Sequence, residues 1–142
     1  MIAEKPYIKI DNNGRYSIVV PAVTFNKVGP QDYSNYKVID FSNVYVAKDT
    51  DSVSLINQKL SSGLHLILSP GQYNLSSPIV VGLNNTIVIG IGFPTLISTN
   101  GNSVLVVTGS EGVRVSGILL QAGAVEAPNL LVNFLILFFL IF

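Results

Sequence analysis

The chain has 142 residues, with eight Lys and Arg against eight Asp and Glu, 49% hydrophobic residues and only 11% charged ones. That is enough apolar side chain for one domain with a real core, and the neutral balance excludes a basic nucleic-acid-binding surface. The absence of Cys removes thiol catalysis, disulfides and thiolate metal sites, and a single His, His65, removes a multi-His zinc centre, so neither a cofactor nor a metal is expected.

Met1 to Ile10 mixes Glu4, Lys5, Pro6 and Lys9 with isolated apolar residues and lacks the continuous apolar stretch of a signal peptide. Tyr7 to Ile10 and Arg15 to Val20 flank Asp11-Asn12-Asn13-Gly14, a pattern that predicts a β-hairpin. Phe25 to Asp40 carries Gly29-Pro30 and three aromatics without a period and reads as loop. A short helix is predicted over Ser52 to Ser61. Thr50-Asp51-Ser52 offers capping oxygens, Val53, Ile56 and Leu60 share one face, and Gly63 stands where a left-handed C-cap belongs.

From Leu64 to Gln121, strand-like runs of three to six residues recur between Gly, Pro, Ser and Asn, with no helical period. Aligning Leu64-His65-Leu66 with Ile87-Val88-Ile89 and Val113-Arg114-Val115 gives offsets of 23 and 26 residues, and Ile79 to Leu105 and Val81 to Val107 repeat the step of 26. Two strands agreeing on one offset is the signature of a coil repeat, which favours an all-β, parallel β-helix of about three rungs over a β-sandwich. In this alignment Leu64, Ile87 and Val113 stack inward with Leu66, Ile89 and Val115, while His65, Val88 and Arg114 line one outer face. Ile89→Asp is then expected to unfold the domain and Val88→Asp to be tolerated. The helix serves as a cap for the open first rung.

Asp51-Ser52, Ile56, Leu60, Gly63, Leu66, Leu68, Pro70-Gly71, Tyr73 and Leu75 together resemble the opening motif of the pectin-lyase-like, right-handed parallel β-helix superfamily. Phe41 to Gly123 also resembles large secreted microbial proteins labelled coagulation factor 5/8 type domain proteins, with Asn85 to Gly92, Thr99-Asn100-Gly101 and Gly112 to Gly117 carrying the likeness. The resemblance implies a right-handed coil and an extracellular or cell-surface, carbohydrate-associated role with a polysaccharide ligand. It also implies many further coils, so the chain reads as an N-terminal portion of such a protein, with a polysaccharide lyase or glycoside hydrolase, and a structural stalk or adhesin, as the alternatives.

The chemistry argues against turnover by these residues alone. Hydrolysis of a glycosidic bond needs an acid and a base flanking it, and a Ca²⁺-dependent lyase needs several convergent carboxylates. Leu64 to Gly123 contains one carboxylate, Glu111, in a predicted turn. Asp49 and Asp51 lie at the helix start, where capping explains Asp51 better than catalysis. Gly90-Ile91-Gly92 lacks the Lys and helix of a phosphate loop. Three residues remain as candidate ligand contacts: His65 and Arg114 on one outer face, Arg114 suited to an anionic sugar, and Tyr73, which could stack on a sugar ring or line the first turn.

The expected divisions are 1–48 as hairpin and loop, 49–123 as cap and rungs, and 124–142 as an apolar tail. Asn129 to Phe142 holds 12 apolar residues among 14 with no charge. As a helix it would reach about 21 Å, short of a hydrocarbon core of roughly 30 Å, so a membrane span through Leu130 to Phe142 is not favoured. A spurious end and a buried cap are the competing readings.

Overall fold

The computed structural model describes residues 2–26, 28, 34–108, 111–134 and 140–141. Its first unit is a small antiparallel sheet of β1 (Tyr7–Ile10), β2 (Tyr16–Pro21) and β3 (Tyr36–Asp40), in the order β1-β2-β3. The expected hairpin is present with Ile10 opposite Tyr16. The Asp11 carboxylate closes its turn by accepting from the backbone N–H groups of Asn13 and Arg15 at 2.8 and 2.9 Å. β3 corrects the loop reading of Phe25 to Asp40: Tyr36 to Asp40 pairs with Pro21 to Ser17 along its whole length. Only Ile39 of its five side chains is buried while Tyr36 and Val38 are exposed, so its apolar residues do not mark a single core face.

After a 3-10 turn at Phe41–Asn43, every strand pairing among the described residues is parallel. The order is β4 (Val44–Ala47), α1 (Val53–Ser61), β5 (His65–Leu68), β6 (Gln72–Leu75), β7 (Ile79–Val81), β8 (Ile87–Gly90), β9 (Thr95–Ser98) and β10 (Leu105–Val107). β11 (Arg114–Ser116), β12 (Leu119–Ala122), β13 (Leu131–Asn133) and β14 (Leu140–Ile141) follow. They stack as three walls, ordered β14-β11-β8-β5-β4, β12-β9-β6 and β13-β10-β7. The result is a right-handed parallel β-solenoid of about four turns. Parallel neighbours cannot be joined by tight hairpins, which removes the β-sandwich alternative. The coil extends beyond the 49–123 segment at both ends, because β4 pairs with β5 and β13 with β10. Leu130 and Leu131 pack on the core from within the segment read as a tail, and residues 135–139 and 142 of that segment lie outside the described residues. No described helix is long and apolar enough to cross a membrane.

α1 forms where its caps and its apolar face require. Ser52 is the N-cap, its hydroxyl accepting from the Leu55 N–H at 3.2 Å, and Gly63 follows the last turn at a φ of +95°. Ile56 and Leu60 are buried in the solenoid interior, and the Asn57 side chain reads the backbone of β7 by accepting from Val80 N–H and donating to the Pro78 carbonyl. Asp51 is not the cap. Its carboxylate accepts from the Tyr45 hydroxyl at 2.7 Å and from the Lys48 N–H at 2.9 Å, which ties the helix entrance to β4.

Two apolar clusters divide the chain. The solenoid interior holds Leu66, Leu68, Tyr73, Leu96, Leu105 and Val115 among others. A second cluster joins Ile18 and Ile39 of the N-terminal sheet to Ile67, Ile87 and Ile89 on the outside of the β5 and β8 wall. This second layer shifts the expected register of the middle rung. Leu66 pairs with Val88 and Val88 with Val115, so Val88 faces the interior while Ile87 and Ile89 face the small sheet. The Ile79–Leu105 and Val81–Val107 pairings stand as expected.

Candidate functional site

The outer face of the β4–β5–β8–β11 wall carries Val44, His65, Ile87 and Arg114 in neighbouring rung positions. Two of the expected ligand contacts, His65 and Arg114, therefore do share a face, with Ile87 between them. That face is covered by the N-terminal sheet rather than open to solvent.

His65 is half-buried, and its Nδ1 accepts from the Ile87 N–H at 3.2 Å. Burial, and secondarily the positive charge of Lys37, lowers its pKa below the ordinary 6.5. A neutral imidazole acting as acceptor is thus built into the wall, and protonation at Nδ1 would abolish the bond. Below about pH 6.5 the unfolded chain binds a proton at this residue more readily than the folded one. Stability is then complete above that value and is lost as pH falls toward the depressed folded-state pKa. Asp40 and Asp51, whose pKa values are lowered chiefly by hydrogen bonds from Ser42 and from the Lys48 N–H respectively, lose their contributions only at more acid pH, below 3.8. We expect the melting temperature to fall between pH 7.5 and about pH 5 by a few degrees, the size of one lost hydrogen bond. His65→Gln should flatten that part of the profile, and thermal melts of both proteins across the range check it.

Arg114 is 9% exposed, and its Nη1 donates to the Glu4 carbonyl at 3.0 Å. It stands at a cavity of about 320 Å³ between the two units. Val20, Lys37 and Ile39 of β2 and β3 form one side, extended by Ala3, Val23 and Phe25. Ile87, Val113 and Arg114 form the other, with the Asn85 and Gly112 turns at its rim. Those turns are locked across rungs: the Asn84 side chain accepts from Glu111 N–H at 2.9 Å, and Asn85 N–H donates to the Glu111 carbonyl at 2.6 Å. Among the described residues no carboxylate lines the cavity. Burial depresses the guanidinium pKa. Sequence reasoning missed Lys37 and the whole N-terminal side because it lacked β3.

Tyr73 corrects the sugar-stacking option. It is 1% exposed in the solenoid interior, and its hydroxyl donates toward the carbonyls of Ala47 at 2.9 Å and Ser69 at 3.0 Å, so its ring has no open face. The Pro70-Gly71 turn brings it there, with the Asp49 side chain packed over Gly71. Asp49 and Asp51 thus both serve the first rung. Among the described residues no group of three or more His, Cys, Asp and Glu could hold a metal ion.

The profile of the LAM55 pectate lyase-like domain matches residues 44–136, from the first parallel strand to just past β13. The chain belongs to that family. An exo-beta-1,3-glucanase of Streptomyces sp. (strain SirexAA-E / ActE) is 33% identical in an alignment of 134 residues that covers 89% of this chain and 21% of that protein. The solved structure of sacteLam55A from Streptomyces sp. SirexAA-E superposes with a TM-score of 0.86 at 31% identity, covering 93% of this chain and 25% of that one. A variant of sacteLam55A in complex with glucose gives 0.88 at 32% identity, covering 93% and 24%. This LAM55 domain therefore spans between a fifth and a quarter of the relatives it matches. The broad β-helix likeness stands, and the narrower one to coagulation factor 5/8 type domain proteins gives way to LAM55. The capping helix and the Pro70-Gly71-Gln72-Tyr73 turn carry the likeness that stands, whereas Asn85 to Gly92, Thr99-Asn100-Gly101 and Gly112 to Gly117, on which the narrower one rested, form turns and strands of the coil.

Proposed function

We propose that this LAM55 domain forms the opening coils of a protein acting on β-1,3-glucan, shaping and carrying the β-helix, while the acid and base of hydrolysis come from outside these 142 residues. The observation behind this reading is the match to an exo-beta-1,3-glucanase across 89% of this chain but 21% of that protein. The local chemistry agrees. Glycoside hydrolysis requires two carboxyl groups set about 5–9.5 Å apart across the scissile bond. Here Asp11 and Asp40 close turns, Asp51 is bonded to Tyr45 and Lys48, and Glu111 sits in a rung turn. None of these four lines the cavity beside Arg114. Because the polymer is met outside cells, the proposal extends to an extracellular or cell-surface location.

Affinity electrophoresis through laminarin, pectin and soluble cellulose derivatives, combined with a reducing-sugar assay on laminarin, tests both halves. The expected result is retardation by laminarin above the other polymers, with no sugar released. Absence of retardation by laminarin would remove the glucan reading, and release of glucose by this chain alone would overturn the division of labour.

A further inference from the structure

We propose that the cavity between the N-terminal sheet and the β8–β11 wall binds a small carboxylic acid with an apolar body, its carboxylate held by Arg114. A guanidinium removed from water is costly unless an anion or a full set of acceptors replaces its hydration. Arg114 is nine-tenths buried, yet the only hydrogen bond of its side chain among the described residues goes to one backbone carbonyl, that of Glu4. The planar fork of donors matches a carboxylate in a bidentate arrangement, which an ammonium or an amide cannot reproduce. Lys37 adds a second positive charge at the opposite wall, and among the described residues no acidic side chain lines the space to compete.

The rest of the lining fixes the body of the ligand. Val20, Ile39, Ile87 and Val113 give aliphatic walls, and Phe25 offers an aromatic one. A volume of about 320 Å³ lies at the lower end of the range for small-molecule pockets, where apolar walls supply affinity and a few polar groups supply orientation. A glucan would need the reverse: several hydrogen-bonding side chains for its hydroxyls, whereas among the described lining residues Asn85 is the one uncharged polar side chain. The site is thus distinct from any glucan-contacting surface and does not depend on the function proposed above.

The test uses the intact 142-residue chain with 3-phenylpropanoate and octanoate as probes, and 3-phenylpropanamide and octanamide as neutral partners. Binding is followed by calorimetry and by the methyl resonances of Ala3, Ile87 and Val113. Both acids should bind saturably, about tenfold or more tighter than their amides, as expected for a charge-assisted pair. Arg114→Gln should bring the acids down to the level of the amides. Lys37→Gln, on an exposed position of β3, should weaken them less and reduce the salt dependence. Val20→Phe, which fills the cavity without touching its charge, should abolish binding of acids and amides alike, and it keeps the test valid if Arg114→Gln does not fold. Equal affinity for acid and amide, unchanged binding in Val20→Phe, competition by laminaribiose, or no saturable binding by either acid would each overturn the assignment.

Discussion

Val88→Asp should leave the chain unfolded, with a loss above about 4 kcal/mol. Val88 is 1% exposed and sits between Leu66 and Val115 in the middle of the solenoid stack, so an aspartate there faces aliphatic side chains from both adjacent rungs with no cation or donor to meet it. Ile89→Asp should behave differently, although Ile89 is also buried at 8% exposure. Its neighbours are Ile18, Ile39 and Ile67, so the charge would loosen the small sheet from the wall while the coil interior remained packed. Denaturant unfolding by far-UV circular dichroism checks this: a cooperative transition for Ile89→Asp with a lowered midpoint, and none for Val88→Asp. The opposite outcome would restore the inward alignment of Ile87 and Ile89 read from the sequence.

Gly117→Ala should be among the most damaging small substitutions at the described glycines. Gly117 has a φ of +70°, and a Cβ there would lie 2.5 Å from the Gly90 carbonyl oxygen on the rung beneath. The backbone conformation alone disfavours an L side chain by about 1–2 kcal/mol, and forcing two rungs apart at a packed corner adds about 1–3 kcal/mol. Gly90→Ala meets the same obstacle from the other side, since its Cβ would collide with the Gly117 carbonyl. Gly14→Ala, at a φ of +76° in an open turn with nothing near its Cβ, carries only the conformational part. A melting temperature for Gly117→Ala no lower than for Gly14→Ala would show that the two rungs do not touch at this corner.

The coil repeat was legible because its walls repeat at nearly constant spacing, and because the Ile79–Leu105 and Val81–Val107 steps fall on strands whose outer residues are buried and whose middle residue is less so. The helix was legible for the same kind of reason, since its cap, stripe and terminal glycine are all local. The register of β8 was not. Ile87, Val88 and Ile89 are all buried, and a strand covered on both faces reads as a continuous apolar run without a phase. Its second cover comes from Ile18 and Ile39, distant in sequence and partly on a strand, β3, that exposes four of its five side chains. The same omission concealed the cavity: Arg114 was visible as a candidate, but Lys37 and the apolar wall opposite it exist only once β2 and β3 are folded over β8 and β11. Tyr73 was ambiguous in kind, since an aromatic after Pro-Gly can point into a coil or out of it, and the Ala47 carbonyl that receives its hydroxyl lies on the rung before.

A solenoid ordinarily behaves as a stack whose members feel only their neighbours, so that coils can fray, be inserted or be lost one at a time. The small antiparallel sheet changes that for the first part of this molecule. Ile18 and Ile39 lie against side chains of both β5 and β8, and the Glu4 carbonyl is fastened to Arg114 on β11. It is a splint laid across three successive floors of the stack. Within its reach the coils open together or not at all, and an insertion of one floor there would have to lengthen the splint as well. Past β11 no such brace is anchored among the described residues, and coil number is free to vary.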